Sequence, residues 1–409
     1  MISRFKRFIY CSVIIYCLFF VVWAFALDED IIKVGLKRLK ESKELSFTTN
    51  KGGELYVDKK LLLKSPQKIK LSVTRGFDKV IILSFSTKDK NGKFYGKELV
   101  FSPYSEVTIE NPSKGIKKYY EGSFTVNNTD ETLFVVNQIS IRQYLESVVA
   151  WEIGSQSAIE ALNSQAIVAR TFLLKNLSKH KKENYNVCDS RVACCQVYNG
   201  THFFYNKKVK ESIEQTRDEI LTYNNEVIDA LFHSCCGGRT TGIESSWPDK
   251  SGLPYLQPIE DVNENRESYC ARDNRFEWKC EFPISIAVKP FGIFFVFNKE
   301  IKLIKNSFGD VLYLEFGNDK LNVLEYRRRL GYLGYKGINS NFFSIEREGD
   351  KIIFYGKGFG HRVGMCQSGA KEMAKQGKNY KEILFHYYKN VRLKKQSSTE
   401  RREMSCKVY

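Results

Sequence analysis

The segment that decides the fold runs from Ser157 to Lys179 and reads SAIEALNSQAIVARTFLLKNLSK. Its apolar and small residues recur every three or four positions, which is the spacing of one helical face. Ser157, followed three residues later by Glu160, matches a capping box, a common start of a helix. Lys175 and Lys179 suit the negative end of a helix dipole. The sequence therefore predicts a helix over residues 158–179 that packs closely through its alanines.

Strand patterns surround this helix on both sides. Ile69, Leu71 and Val73 alternate with polar residues, which is the period of a half-buried strand. The apolar stretches 124–126 and 133–136 flank four polar residues and predict a hairpin. Strand-like runs return from about residue 197 to 354, and two short helices are predicted over 369–376 and, after Asn379, to about 388. We therefore expect an α+β fold, mostly antiparallel sheet with a few helices around the active site.

The N-terminus has the pattern of an export signal. Arg4, Lys6 and Arg7 precede an apolar run over residues 8–27 that ends in Ala-Phe-Ala. Such a run predicts an N-terminal hydrophobic helix, either a signal peptide that is cleaved or a membrane anchor that is retained. Both alternatives stay open. In either case the positive-inside rule places the rest of the chain outside the cytoplasm, in the cell envelope or periplasm.

The net charge indicates an anionic partner. The 409 residues include 64 Lys and Arg against 47 Asp and Glu, a formal charge of +17. Export excludes nucleic acid, and the chain has no nucleic-acid-binding motif, which leaves a membrane surface or an acidic polymer. The alternative is that the excess is solvated lysine spread over the surface. Residues 393–409 are basic and polar, and we expect them to form a disordered tail.

One carboxylate stands out as a candidate catalytic group. Glu152 lies between Trp151 and Ile153, just before the predicted helix. Apolar surroundings disfavour the charged form of a carboxyl and raise its pKa, as a general acid requires. A capping or surface role near a helix start is the open alternative.

A cysteine-rich block follows the helix. Cys188, Cys194 and Cys195 lie within eight residues, and His180 lies just upstream. Three thiolates and an imidazole are a ligand set for tetrahedral zinc. Disulfides to Cys235, Cys236 or Cys270, or free buried thiols, are the alternatives that spacing leaves open.

Two further segments carry candidate binding residues. The first reads FHSCCGGRTT over residues 232–241 and contains His233, without the motif of a serine nucleophile. The second reads GKGFGHRVGMCQSGA over residues 356–370 and precedes a helix, but it is not a Walker A loop. Its His361, Arg362 and Gln367 are candidate hydrogen-bonding partners of a sugar. A purely structural turn is the alternative.

Together and in this order, five blocks resemble the SpoIID/LytB family, the stage II sporulation protein D group. That family reads roughly YLxGVVxxEMP, AxxART, CDxxxCQVY, HSxSGGxT and GxGxGHGVGMSQYGA. The resemblance covers about residues 119–392, which we expect to be the catalytic domain after a β-rich domain over 28–118. It departs from the pattern at Gly154 in place of Pro and at the length of the Cys block. Other departures are Cys235-Cys236, Arg362, Cys366 and Ser368.

The resemblance implies a function and a set of roles. It implies a membrane-anchored lytic transglycosylase of peptidoglycan. Such an enzyme prefers glycan without stem peptides and uses one Glu, here Glu152. It implies an amidase as a partner that removes the stem peptides, and zinc in the Cys block of some members. A non-catalytic peptidoglycan-binding protein or amidase activator is the alternative. The expected substrate-binding residues are Arg170, His233, Gly360, His361, Gly364 and Gln367.

Overall fold

The computed structural model describes residues 30–39, 42–129, 132–189, 194–201, 207–247, 250, 252–292 and 300–397. The chain forms two compact units, each discontinuous in sequence. Unit 1 comprises the described residues of Met1–Val148, Leu177–Phe203 and Ser397–Tyr409, and unit 2 those of Val149–Asn176 and Phe204–Gln396. The sequence places a domain boundary between residues 118 and 119, which falls inside strand β10 (Ile116–Tyr120) of unit 1.

Unit 1 consists almost entirely of short strands. They are β1 (Ile31–Gly35), β2 (Glu44–Thr49), β3 (Gly53–Val57), β4 (Lys60–Ser65), β5 (Ile69–Arg75), β6 (Ile81–Ser86), β7 (Asn91–Gly96), β8 (Glu98–Pro103), β9 (Val107–Asn111), β10 (Ile116–Tyr120), β11 (Ser123–Asn128), β12 (Leu133–Ser140) and β13 (Val187–Cys188). Helix α1 (Ile141–Val149) follows β12, and its last residue, Val149, already belongs to unit 2.

Two sheets organise these strands. One has seven strands in the order β13-β1-β12-β11-β8-β3-β4, and the other has six in the order β10-β9-β2-β5-β6-β7. All pairs are antiparallel except β1 with β13. Phe47 of β2 contacts Phe124 of β11 edge to face, so the two sheets pack through buried aromatic and aliphatic residues. The predicted hairpin is confirmed as β11 and β12.

Unit 2 combines helices with small sheets. Its helices are α2 (Ile159–Lys175), α3 (Lys207–Gln215), α4 (Ile284–Ala287), α5 (Val323–Tyr332), α6 (Gln367–Lys375) and α7 (Tyr380–Tyr387). Its strands are β14 (Glu219–Tyr223), β15 (Glu226–Val227), β16 (Phe232–His233), β17 (Glu277–Pro283), β18 (Ile301–Lys305), β19 (Val311–Phe316), β20 (Asp319–Asn322), β21 (Phe343–Glu348), β22 (Lys351–Lys357), β23 (Met365–Cys366) and β24 (Arg392–Lys395). The mixed, strand-rich α+β class is confirmed.

The predicted central helix is confirmed as α2, which ends at Lys175 rather than Lys179, but the predicted capping box is wrong. The helix begins after Ala158, and no side chain caps it. The Ser157 hydroxyl instead donates to the Ile153 carbonyl over 2.9 Å, and the Glu160 carboxylate accepts from the Tyr380 N–H over 2.7 Å. Both halves of the expected capping box are therefore used in other contacts. Helix α7 does carry a capping box, formed by Asn379 and Glu382.

The two ends of the chain differ from expectation in different ways. The predicted N-terminal hydrophobic helix lies outside the described residues. Within the part that the structure describes, no helix is both long and apolar enough to cross a membrane. The predicted disordered tail is wrong at its first residues, because Leu393, Lys394 and Lys395 belong to β24 and pair with β14. Residues 398–409 lie outside the described part.

Candidate functional site

Glu152 lies on an unusual turn. A π-helical turn over Ala150–Gly154 directly follows α1 and carries Glu152 in its first turn. Trp151 beside it is 37% exposed, whereas Ile153 is buried. Gly154 ends the turn with φ at +88°, a conformation that disfavours side chains and that proline cannot adopt. Single π-helical turns occur frequently at functional sites. The turn therefore holds a half-buried carboxylate beside an exposed aromatic ring.

Arg170 lies on α2 but does not face solvent. It is buried, and its guanidinium donates to the carbonyls of Thr216 and Glu219 over 2.9 and 3.1 Å. Burial lowers its pKa to about 10, so it remains charged at neutral pH. Through these hydrogen bonds Arg170 connects α2 to the turn between α3 and β14. That is a positioning role rather than the expected direct contact with substrate.

Two histidines meet where β16 and β23 pair in parallel. The rings of His233 and His361 lie 5.7 Å apart, centroid to centroid, and His361 also contacts Trp247. The Nδ1–H of His233 donates to the Val363 carbonyl over 3.1 Å, and its buried Nε2 has no hydrogen-bond partner among the described residues. The fold thus brings together the block that contains His233 and the glycine-rich block that contains His361.

Both histidines are neutral at physiological pH. Burial, with the nearby His361, lowers the pKa of His233 to about 3. Burial lowers the pKa of His361 to about 4, while its Nδ1 accepts the Val363 N–H over 3.1 Å. A neutral imidazole can hydrogen-bond a sugar hydroxyl, but it cannot supply the proton of a general acid.

The glycines of the last block allow close backbone approaches. Gly360 has φ at +105°, and a Cβ there would lie 3.2 Å from the Cβ of His233. Gly364 has φ at +73°, and a Cβ there would lie 2.0 Å from the Leu231 carbonyl oxygen. The close approach at Gly364 therefore supports the alternative of a purely structural turn, because backbone packing requires glycine there.

Arg362 and Gln367 are also committed to internal contacts. Arg362 is fully buried, pairs with Asp310 and donates to the carbonyls of Cys236 and Arg239, each over 2.8 Å. It is therefore not positioned to bind a sugar. Its φ of +61° explains why glycine suits this position in the family pattern. Gln367 is buried and donates to the Gln165 side chain over 3.3 Å, which ties α6 to α2.

Sequence reasoning missed a polar network beside Ser368. The Ser368 hydroxyl donates to the Asp273 carboxylate and lies 2.9 Å from the Ser234 carbonyl oxygen. Burial would raise the pKa of Asp273, but hydrogen bonds from Arg275 and Ser368 lower it well below its usual range. Ser368 therefore joins the two blocks internally. Only the short spacing of Asp273 and Arg275 hinted at this network.

Unit 1 gathers the four predicted metal ligands. Donor atoms of His180, Cys188, Cys194 and Cys195 all lie within 4.8 Å of one another. The Cys195 Sγ lies 3.8 Å from both the Cys194 Sγ and the His180 Nε2, and the latter two are 3.2 Å apart. With zinc–sulfur bonds of about 2.3 Å, the sulfurs of a tetrahedral site lie about 3.8 Å apart. The separations among His180, Cys194 and Cys195 are therefore close to those of a tetrahedral zinc site.

A carboxylate that contacts His180 is also consistent with a metal site. The Nδ1 of His180 contacts the Glu183 carboxylate over 3.0 Å. A carboxylate that accepts the Nδ1 proton leaves the Nε2 lone pair for a metal, as is common for zinc-bound histidine. Cys235, Cys236 and Cys270, the alternative disulfide partners, contact one another and Cys366 in unit 2. Residues 190–193 of the block lie outside the described part.

Comparisons with known proteins agree with the resemblance. The family described as "SpoIID: Stage II sporulation protein" matches residues 129–223, which include Glu152 and the Cys block. Stage II sporulation protein D of Bacillus amyloliquefaciens is 30% identical over 63% of this chain and 74% of its own length. An uncharacterised protein of Brachyspira hyodysenteriae is 28% identical over 90% of this chain and 94% of its own. The amidase enhancer of Bacillus subtilis is 24% identical over 74% of this chain and 48% of its own.

Proposed function

Because the chain belongs to the stage II sporulation protein D family, we propose that it is a peptidoglycan lytic transglycosylase with Glu152 as its catalytic residue. The family gives the chain a cell-wall related role. The observation that carries the finer proposal is the π-helical turn, which holds Glu152 half-buried beside the exposed Trp151. An exposed aromatic ring is a surface on which a sugar can stack.

The proposed reaction needs only one carboxyl. Neutral Glu152 protonates the glycosidic oxygen between N-acetylmuramic acid and N-acetylglucosamine, and the bond to C1 breaks through an oxocarbenium-like state. The Glu152 carboxylate then takes the proton of the muramic acid 6-hydroxyl, whose oxygen bonds to C1. The product is a 1,6-anhydro end, no water is consumed, and Glu152 regains its proton. His233 and His361, both neutral, are not alternative acids.

The proposed substrate is glycan without stem peptides. Such strands expose the lactyl carboxylate of each muramic acid, and a chain with a net charge of +17 attracts a polyanion. Strands of this kind require an amidase that has removed the peptides, so we include an amidase among the partners. The basic residues before the apolar run over 8–27 support export, by a signal peptide or an anchor, to the cell envelope or periplasm.

Glu152→Gln tests the catalytic role. Glutamine keeps the shape of the side chain but cannot cycle a proton, so we expect cleavage of denuded glycan to fall by on the order of 10²- to 10⁴-fold. Glu211→Gln, at an exposed position of α3, is the matched control and should keep full activity. Equal cleavage by Glu152→Gln and the native chain would exclude Glu152 as the catalytic group.

We also propose that His180, Cys188, Cys194 and Cys195 hold a zinc ion. Bound there, zinc supplies structural cross-linking, because four protein ligands leave no open position for a substrate. Elemental analysis of the purified protein should show that Cys188→Ser loses one zinc per chain. Cys280→Ser, a half-buried thiol of β17 outside this group, should keep it. A disulfide at Cys188 in the native protein would end this part of the proposal.

A second candidate is a protein that grips glycan or activates an amidase without cutting. The similarity to a relative named amidase enhancer favours it, as do the inward contacts of Arg362 and Ser368. Sedimentation with denuded glycan that yields no cleavage product would support this candidate over the enzyme.

A further inference from the structure

A second group of metal-binding side chains lies in unit 2, away from the family's Cys block in sequence. Cys236, Asp261, Cys270 and Cys366 each offer one donor atom, and these four atoms all lie within 4.8 Å of one another. All four residues are at most 1% exposed. We propose that they form a structural zinc site of three thiolates and one carboxylate.

Two of these distances are near those of a closed tetrahedral site. The Cys236 Sγ lies 3.4 Å from the Cys270 Sγ and 3.1 Å from an oxygen of Asp261. These separations are close to the edge of about 3.8 Å between sulfurs around one zinc, and to the shorter edge that a carboxylate oxygen gives. Thiolate ligands select soft or borderline metals over magnesium and calcium. Full burial leaves no position for substrate, so the site is structural.

Cys366 presents a sulfur that accepts backbone hydrogen bonds. It is the N-cap of α6, and its Sγ accepts the N–H groups of Cys236 and Gly369 over 3.2 and 3.3 Å. Two backbone donors and a helix N-terminus stabilise negative charge on sulfur. The Cys270 Sγ in turn contacts the Ser268 hydroxyl over 3.4 Å. Thiolates around zinc typically need such outer hydrogen bonds.

Asp261 distinguishes a metal site from a pair of disulfides. Its carboxylate is fully buried, and one oxygen accepts from the Tyr387 hydroxyl over 2.8 Å and contacts the His386 Nε2 over 3.2 Å. The other oxygen faces Cys236. Among the described residues, its cationic partner is His386. Zinc would neutralise the other oxygen as well, whereas a disulfide at Cys236 would leave that oxygen facing a sulfur without a proton to donate.

Two of the three thiols replace serines of the family pattern. Cys236 and Cys366 each stand where the family pattern has Ser, in blocks 130 residues apart, and they meet at Cys270. The proposed zinc would join four segments: the turn after β16, two loop positions and the N-terminus of α6. It would thereby fix the strand pair that carries His233 and the glycine-rich block.

Elemental analysis of the full chain tests the site. Relative to the native chain, Cys270→Ser should lose one zinc per chain. Cys280→Ser should lose none, and Cys188→Ser, which affects the other proposed site, should leave this zinc in place. Reconstitution of Cys188→Ser with Co²⁺ should give the intense sulfur-to-cobalt absorption of a tetrahedral thiolate site. The same absorption should be absent from the Cys188→Ser, Cys270→Ser double variant.

A gentler variant keeps the test decisive if Cys270→Ser does not fold. Asp261→Asn retains the shape of the side chain, and we expect it to release this zinc to a chelator at least about tenfold faster than the native chain. Zinc content unchanged by Cys270→Ser in a folded protein would overturn the proposal. So would a Cys236–Cys270 or Cys235–Cys366 disulfide, detected by mass spectrometry of the native protein, or unchanged release from Asp261→Asn.

Discussion

At the scale of single residues, hydrogen bonding and burial decide what each polar side chain can do. Arg362 and Gln367 fitted a sugar-binding role in the sequence, yet their polar atoms are used by neighbouring protein groups. For His361 the decisive effect is burial, which lowers the pKa of its imidazole and keeps it neutral. Glu152 lies on a partly exposed turn. The raised pKa that its apolar neighbours suggest for this carboxyl remains a prediction.

His361 gives the folded chain a pH dependence. Its pKa is about 4 in the folded state, against about 6.5 in an unfolded chain. Between these values the unfolded state binds more protons, so stability decreases as the pH falls from about 6.5 towards 4. The contribution is at most about 1.4 kcal/mol per pH unit. We expect His361→Gln to lower the slope of unfolding free energy against pH by up to that amount.

Urea denaturation at several pH values between 4.5 and 7 measures this slope. Other groups, among them His233 and Asp189, add slopes of their own, so the comparison between native chain and variant isolates the contribution of His361. Identical slopes for the two proteins would mean that His361 titrates alike in the folded and unfolded states.

At the scale of elements, the turn that carries Glu152 depends on one glycine. Gly154 has φ at +88°, and within 4 Å a Cβ there would meet only the Ser157 hydroxyl. The cost of a side chain is therefore conformational rather than steric, and we expect Gly154→Ala to lower the unfolding free energy by about 1–2 kcal/mol. Cleavage of glycan should fall as well, because the turn positions Glu152.

Gly331 provides a matched control for this prediction. It lies in α5, with nothing within 4 Å of an added Cβ, so Gly331→Ala should raise the unfolding free energy by about 0.5–1 kcal/mol. Chemical denaturation of both variants measures the two changes. A Gly154→Ala protein as stable as the native chain would contradict the π-helical turn.

The elements themselves differ in how well the sequence predicts them. The β11–β12 hairpin and α2 follow from local apolar periodicity, and both are present. The capping box predicted for α2 was wrong because the Glu160 carboxylate instead accepts from the N–H of Tyr380, 220 residues further on. The strand β24 was missed because its partner β14 is also far away in sequence, with Glu219 opposite Lys395. A local pattern contains no information about such partners.

At the scale of the whole molecule, the chain returns to unit 1 after α2, so neither unit is one continuous segment. Composition and apolar periodicity do not reveal that the chain leaves unit 1 and later returns to it. The sequence nevertheless assigned His233 and the glycine-rich segment to one substrate-binding set and His180 with three cysteines to one ligand set, and the structure brings each set together. The ordered blocks did not predict the Cys236, Asp261, Cys270 and Cys366 group, because a single Asp in a loop carries no signal.

The account of the whole molecule rests on the chemistry that it performs on glycan. Mass analysis of the products released from denuded strands tests this most directly. Lytic transglycosylation by Glu152 predicts strands that end in 1,6-anhydro-N-acetylmuramic acid, each lighter by one water than a hydrolysis product. Reducing ends without the anhydro form would contradict that route and indicate a hydrolase, and intact strands in the presence of bound protein would contradict an enzyme altogether.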